Sequence, residues 1–386
     1  MFLDRLNKTN KSLVDLAFSL HQQGAIEPDT YIVDLDSLIE NAQKLKKKAN
    51  EKNIQLYFML KQLGRNPLIA QTLDELGYAG AVCVDYREAT TLGENGVRLG
   101  HVGNLVQIPL QSIERILTYR PEIVTVFSRE EAKRIGEVAE RLGFVQSIML
   151  KVLDTEDVQY SGQSGGFYVD ELEQVEQEIA KTSGVHIAGV CSFPCFLFSD
   201  QTNRIETLHN VSTVQKACEY LHSVGYDNLQ VNLPSQSCTA LVDRVSQLQG
   251  THMEPGHGLT GTTPYHAAGN DMDEKTSYVY VSEISHNLGS NSYCYGGGFY
   301  RRGHLHRALV GKREDSAKTC EVNAPTPESI DYYFELSQNA TVGDTVLMCF
   351  RAQMFVTRSH IAVVRGLSHN APVIEGVFDS QGRKIR

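Results

Sequence analysis

The amino-acid sequence predicts an α/β protein, a (β/α)8 TIM barrel followed by a β-rich C-terminal domain. Three observations carry that expectation. Eight short apolar runs recur at intervals of roughly 20 to 40 residues, each is followed by a helix-like stretch, and after about residue 265 strand-like runs continue without regular long helices between them. The expected divisions are an N-terminal helical extension over 1–27, a barrel over 28–264 and a β-rich domain over 265–386, the last joined by the strand near 30–34.

Leu13, Leu16, Ala17 and Leu20 recur at helical spacing and predict an amphipathic helix over 11–22, laid against the body or a second subunit. Tyr31-Ile32-Val33 is a short strand. Leu38, Ala42, Leu45 and Ala49 form one face of the helix after it. The eight barrel runs are then 54–60, 79–84, 101–106, 122–127, 145–153, 185–191, 228–232 and 251–253. Asn66-Pro67 and Ser128 before Arg129-Glu130-Glu131 read as helix starts, and Gly77, Gly143 and Gly184 as stops. An open doubly wound sheet is the alternative, but it needs a phosphate fingerprint after an early strand, and no Gly-x-Gly-x-x-Gly stands there. Tyr278-Val279-Tyr280-Val281, Thr345 to Phe350 and His360 to Arg365 are the strands expected in the second domain.

The chain has 386 residues, enough for one large domain and a smaller one, with 36 basic against 46 acidic residues and a formal charge of −10. That balance, without a basic block, argues against nucleic acid or an anionic membrane as partner. Charged residues punctuate the first 26 positions and no run of about 18 apolar residues occurs, so neither a signal peptide nor a transmembrane span is expected. The eight cysteines are scattered, and Cys83 and Cys191 sit inside apolar runs, as reduced core thiols do. A cytoplasmic setting is expected from them.

Lys61 follows the first apolar run directly, and Glu254 follows the eighth, ahead of Pro255-Gly256-His257-Gly258. In a closed barrel the first and eighth strands are neighbours, so an amine and a carboxylate would project from adjacent strand ends. That pairing points to pyridoxal phosphate (PLP), held by the lysine as a Schiff base and kept protonated on its ring nitrogen by the carboxylate. A lone lysine at a strand end is ordinarily a surface residue; the apolar run before it and the helix start after it change that reading. The Gly256-His257-Gly258 turn and the Ser235 to Thr239 segment, expected to open a helix after strand seven, both suit a phosphate.

These residues resemble the fold-type III PLP enzymes: alanine racemase, the ornithine and diaminopimelate decarboxylases and D-threonine aldolase. The likeness covers nearly the whole chain from Tyr31. Ala81 to Ala89 resembles the family's second strand and helix start, and Leu150-Lys151-Val152-Leu153-Asp154-Thr155 its Lys-Val-Asp-Thr run. Met59 to Pro67 together with Gly162 to Phe167 is similar, more narrowly, to the YhfX-type proteins. The resemblance implies an alanine racemase-like barrel with Lys61 as the Schiff-base lysine, Glu254 as partner of the ring nitrogen, and Ser237, Thr239, Gly256 and His257 as phosphate contacts. Racemases of the family place Arg at the ring nitrogen and its decarboxylases Glu, which counts against a plain alanine racemase.

Two further positions depart from the family. No histidine is evident over the ring, where Phe193 is expected instead, and the arginine after the racemase Asp-Thr-Gly motif is missing, with Gln163 as a substitute. The second acid/base of the racemases lies in a Gly-Tyr-Gly stretch of the β domain and reaches the partner subunit; Tyr295 is its nearest counterpart, with Cys294 and Cys349 as alternatives, and a homodimer is implied. His304-x-His306 is a candidate metal pair on one strand face, but without a third placed ligand no metal is assigned. Arg301 and Arg302 are candidates for a substrate carboxylate. The expected function is that of a PLP-dependent racemase or epimerase acting at the α-carbon of an amino acid or related amine. Decarboxylation or aldol lysis is the alternative, a non-catalytic PLP carrier a further one, and a metal-dependent barrel hydrolase is poorly served by the strand-end residues.

Overall fold

The computed structural model describes every residue except Ala324. Packing divides the chain into two units. One comprises Leu45–Leu60 and Pro67–Gly256, the other Met1–Lys44, Lys61–Asn66 and His257–Arg386.

The first unit is a closed parallel barrel. Its strands are, in order, Gln55–Met59, Gly80–Cys83, Leu99–Val102, Ile123–Val126, Gln146–Leu153, Val185–Cys191, Gln230–Asn232 and His252–Met253. Each pairs in parallel with the next, and strand eight closes on strand one with Met253 opposite Leu56. Helices start where the local chemistry directs. Pro67 opens the helix Pro67–Glu75 with its fixed φ, Asp85 caps Tyr86–Glu94 by accepting from the Glu88 amide at 2.8 Å, and Ser128 caps Arg129–Arg141 by accepting from Glu131. Gly77 and Gly143, at φ +80 and +77, turn the chain out of two of them.

Strand three is displaced from its expected span of 101–106 and occupies Leu99–Val102. Its pairing slips so that Ala81 faces Leu99 and Val82 faces His101, leaving Gly100 as an extra residue. Only glycine fits there, because a Cβ would stand 2.3 Å from the Tyr57 ring. Gly103, at φ +88, then ends the strand early. The bulge aims His101 into the barrel.

The second unit is antiparallel and also closes on itself. Tyr278–Leu288 pairs with Asn291–Tyr295, and the ring continues through Tyr333–Leu336, Lys318–Asn323, Arg307–Gly311 and Thr345–Met348 back to Tyr278–Leu288. Thr30–Asp34 extends it, antiparallel to Tyr278–Leu288 and parallel to His360–Arg365, which in turn pairs with Val373–Phe378. The strand near 30–34 is therefore a member of this sheet.

Two helices, Phe2–Thr9 and Lys11–Gln22, precede it, the first of them unexpected. Asn10 joins them: its side chain accepts from the Leu13 amide and donates to Asp34 at 2.8 Å. Phe2, Leu6, Leu13, Ala17 and Phe18 share one core with Ile32, Val279, Val281 and Leu347. Each large side chain so buried contributes roughly 1.5–3 kcal/mol. Among the described residues no helix is long and apolar enough to cross a membrane.

Candidate active site

Glu254 immediately follows strand eight and is buried in the barrel interior. Its carboxylate accepts from His101 Nδ1 at 2.6 Å, from Asn104 at 2.8 Å and from Asn232 at 2.5 Å, and its backbone N–H donates to Ser237 Oγ at 3.2 Å. Strands three and eight are not neighbours, so the His101–Glu254 contact runs across the lumen. The other imidazole nitrogen meets Thr125 Oγ1. The Nδ1–H donates to the carboxylate, and Nε2 shares a hydrogen bond with the hydroxyl.

Among the described residues, no Lys or Arg forms an ion pair with Glu254. A buried carboxylate held only by amides and one imidazole is short of compensating positive charge. Asn104 Oδ1 and Asn232 Oδ1, buried beside it, lack hydrogen-bond partners. The arrangement suits a cationic, hydrogen-bonding ring. His101, Asn104 and Asn232 were not singled out in the sequence; Asn232 ends its apolar run, a signal that could have found it, whereas His101 and Asn104 fall within the run read as 101–106 and carry no such mark.

The segment after strand seven is bent before it is helical. Ser235 and Gln236 take φ +91 and +54, and Thr239–Leu241 forms a short 3-10 turn leading into the helix Val242–Gln247. Ser237 and Thr239 are buried there. Ser237 spends its oxygen on the Glu254 amide and keeps its hydroxyl hydrogen to donate. Gly256 is the last residue of the barrel unit. Phe193, half-buried, lies 5.8 Å from the Tyr160 ring.

In the other unit, Lys61 begins a 3-10 turn, Lys61–Leu63, and is half-buried. His257 is buried, 3.2 Å from Thr262 Oγ1 and 3.5 Å from Gln353. Burial, reinforced by the positive charges of Arg351 and Lys61 and by His266, pushes its pKa well below the usual histidine range and keeps the imidazole neutral. Tyr295 is the last residue of Asn291–Tyr295, exposed, with its ring 5.8 Å from that of Tyr333, opposite it in the register.

The cysteine alternatives to Tyr295 do not fit an acid/base role. Cys294 and Cys349 are both buried, and burial pushes the Cys294 thiol up to about 12 and that of Cys349 higher still. The eight cysteines are buried and none forms a disulfide. His304 and His306 do not share a strand face. They precede the strand Arg307–Gly311, exposed, with His304 at φ +53. Among the described residues no group of three or more His, Cys, Asp or Glu is placed to hold a metal.

Residues 33–264 match the family described as alanine racemase, N-terminal domain, and residues 279–374 that described as YhfX-like, C-terminal domain. The chain belongs to the alanine racemase N-terminal domain family. Within reach of this family it is 40% identical over 388 residues to protein YhfX of Escherichia coli (strain K12), covering 100% of both chains. Solved structures of similar fold include D-threonine aldolase from Filomicrobium marinum (TM-score 0.66, 14% identity, 93% of this chain and 95% of that one). The Clostridium difficile 630 alanine racemase in complex with cycloserine has a TM-score of 0.66 at 16% identity, covering 91% and 98%. Diaminopimelate decarboxylase from Helicobacter pylori has 0.63 at 13%, covering 94% and 95%.

Enzymes of the alanine racemase-like family bind pyridoxal 5'-phosphate. The donor set of the barrel fits it: Glu254 would answer a protonated ring nitrogen, and Ser237, with a hydroxyl hydrogen to spare, would suit an oxyanion.

Proposed function

We propose that the protein is a PLP-dependent enzyme acting at the α-carbon of an amino acid or related amine, and that its reaction is racemisation or epimerisation. The buried, amide-held Glu254 is the observation that carries the PLP-dependent part of this reading, and the choice of racemisation rests on Tyr295 as a second proton carrier. PLP, when bound, supplies an aldehyde that condenses with amines and a ring that withdraws electrons from the α-carbon.

The residues of this chain do the rest. Lys61 holds the cofactor and moves a proton on one face. Tyr295, contributed by a second copy in a homodimer, moves one on the other. Glu254, oriented by His101, Asn104 and Asn232, keeps the ring nitrogen cationic. Ser237, Thr239, Gly256 and His257 hold the phosphate, His257 as a neutral donor, and Phe193 packs on the ring. Eight buried thiols outside any disulfide support a reducing, cytoplasmic setting.

Glu254 also favours a second reading, decarboxylation or aldol lysis, since a carboxylate at the ring nitrogen makes the stronger electron sink. Incubation of the loaded protein with D- and L-amino acids in deuterated solvent separates the two. Chiral chromatography is expected to show the opposite enantiomer carrying solvent deuterium, whereas release of carbon dioxide or an aldehyde overturns racemisation. A cofactor-loaded protein that exchanges no α-proton with any amine tried would instead be a carrier.

A further inference from the structure

Asp29 is a carboxylate for which the proposed chemistry has no use, yet much is built around it. It precedes the strand Thr30–Asp34 and stands at φ +62, a left-handed backbone that aspartate and asparagine adopt more readily than most residues. Its Oδ1 accepts from the Tyr280 hydroxyl at 2.8 Å and from that of Ser359, and its carbonyl accepts from the His360 amide at 3.1 Å. Oδ2 lies against Gly297, where a Cβ would overlap it.

Gly297 is the middle of a three-glycine strap, Gly296 to Gly298, that continues directly from Tyr295. It stands at φ +132. A Cβ on Gly296 would collide with the Asp331 carbonyl and one on Gly298 with the Tyr280 ring, so all three positions are closed to any other residue. The Gly296 amide donates to the Tyr332 carbonyl at 2.8 Å, the Gly297 carbonyl accepts from the Arg358 amide at 3.2 Å, and the Gly298 carbonyl accepts from the Tyr31 hydroxyl at 2.6 Å. A strap held so closely has no slack, and the wall it lies on sets the direction in which Tyr295 leaves its strand. Asp29 is the titratable group at the centre of that wall.

Burial raises the Asp29 carboxyl to about 6 from an ordinary value near 3.8, against the opposing hydrogen bonds of Ser359 and Tyr280. The other charged and titratable groups around it are Arg358, which favours the ionised form, Asp331, which opposes it, and Tyr31 on its own strand. Between about 4 and 6 the folded chain keeps a proton that the unfolded chain has lost, so the stability this group contributes is whole below about 4 and gone above about 6. Ionisation favours any movement that rehydrates the carboxylate, and the strap is what covers its Oδ2.

We propose that Asp29 is a positioning residue for Tyr295: its protonated carboxyl seats the Gly296–Gly298 strap and fixes where the strand Asn291–Tyr295 delivers its last side chain, and its ionisation lets the strap lift. The seat stands on geometry within one packing unit, while its consequence for proton transfer rests on the role of Tyr295 proposed above.

The chain contains no tryptophan, so Phe299→Trp places a single emitter at the end of the strap, where the native ring packs 6.1 Å from that of Phe334. In the full-length protein its emission is expected to shift with a midpoint near pH 6. Asp29→Asn, which suits the same backbone and does not titrate, is expected to abolish that shift. Ser359→Ala, which removes a hydrogen bond to the ionised form, is expected to move the midpoint upward. In the cofactor-loaded protein, Asp29→Asn is expected to lose an inflection of kcat for α-proton exchange near the same pH, with KM changed by less than about twofold. Should Phe299→Trp fail to fold, Tyr332→Trp, at a position 63% exposed, carries the emitter. An emission that does not titrate, or that titrates unchanged in Asp29→Asn, overturns the seat. A shift that depends on Asp29 with no change in the kcat profile overturns the positioning of Tyr295. A protein that exchanges no α-proton with any amine tried, while the Asp29-dependent shift persists, overturns the function proposed above instead and bears out the seat.

Discussion

The two closed barrels of this chain fill their interiors with opposite chemistry. The parallel barrel buries His101, Thr125, Lys151, Asn232, His252 and Glu254, whereas the antiparallel one buries Tyr280, Ile284, Cys294, Ala308, Phe334, Leu336, Val346 and Met348. In the second, the buried hydroxyls are spent locally: Ser282 donates to the Tyr295 carbonyl at 2.6 Å and Ser292 to that of Gln338 at 2.7 Å. Such an interior stabilises by burial and asks for nothing more. The parallel interior carries uncompensated charge and unpaired acceptors, which cost stability unless a ligand answers them.

The largest effect is expected at Lys61, outside both interiors. Lys61→Ala is expected to lower α-proton exchange by on the order of 10³ or more. Borohydride treatment followed by peptide mass mapping should find cofactor on the Lys61 peptide of the wild type only. A variant that retains activity would remove the lysine from the chemistry.

Next in size is Glu254→Ala, which strands His101, Asn104 and Asn232 without their shared acceptor and should destabilise by about 3–5 kcal/mol. Glu254→Gln keeps the volume, so a large loss of activity with a small loss of stability in that variant would separate the two roles. In the antiparallel unit the same test runs the other way. Leu13→Ala, in the core shared with Ile32 and Leu347, should cost about 2–5 kcal/mol by chemical denaturation and leave cofactor binding intact.

Acid sharpens the comparison further. Burial, with His101 adding, holds His252 in the parallel barrel at a pKa of about 4, against about 6.5 in the unfolded chain. As pH falls below 6.5 the unfolded chain takes up this proton first, so the stability present above that point drains away down to about pH 4, by about 3 kcal/mol. His252 stacks on Tyr57 at 5.1 Å, and His252→Phe should flatten that part of the denaturation profile. His21 and His257 in the other unit are shifted in the same direction and will leave a residual slope. The smallest effect expected is that of Ser128→Ala, about 1 kcal/mol from loss of one helix cap.

Much of this was open to a reader of the sequence alone. Apolar runs of strand length between capped helices specify a barrel because both periodicities are local. The strand Val185–Cys191 and the helices Lys11–Gln22 and Arg129–Arg141 lie where spacing and caps put them. Lys61 and Glu254 stood out for the same reason, as charges at the ends of apolar runs. What the linear pattern does not contain is which side chains meet across a closed interior. His101 reaches Glu254 only because Gly100 bulges beneath Tyr57, and Asn104, in the bend after strand three, and Asn232, on strand seven, join it from 150 and 22 residues away from Glu254 along the chain. The pairing of Thr30–Asp34 with strands from the far end of the chain has the same origin. Periodicity and capping are properties of neighbouring residues, while the charge balance of a buried cavity is decided by groups that only ring closure brings together.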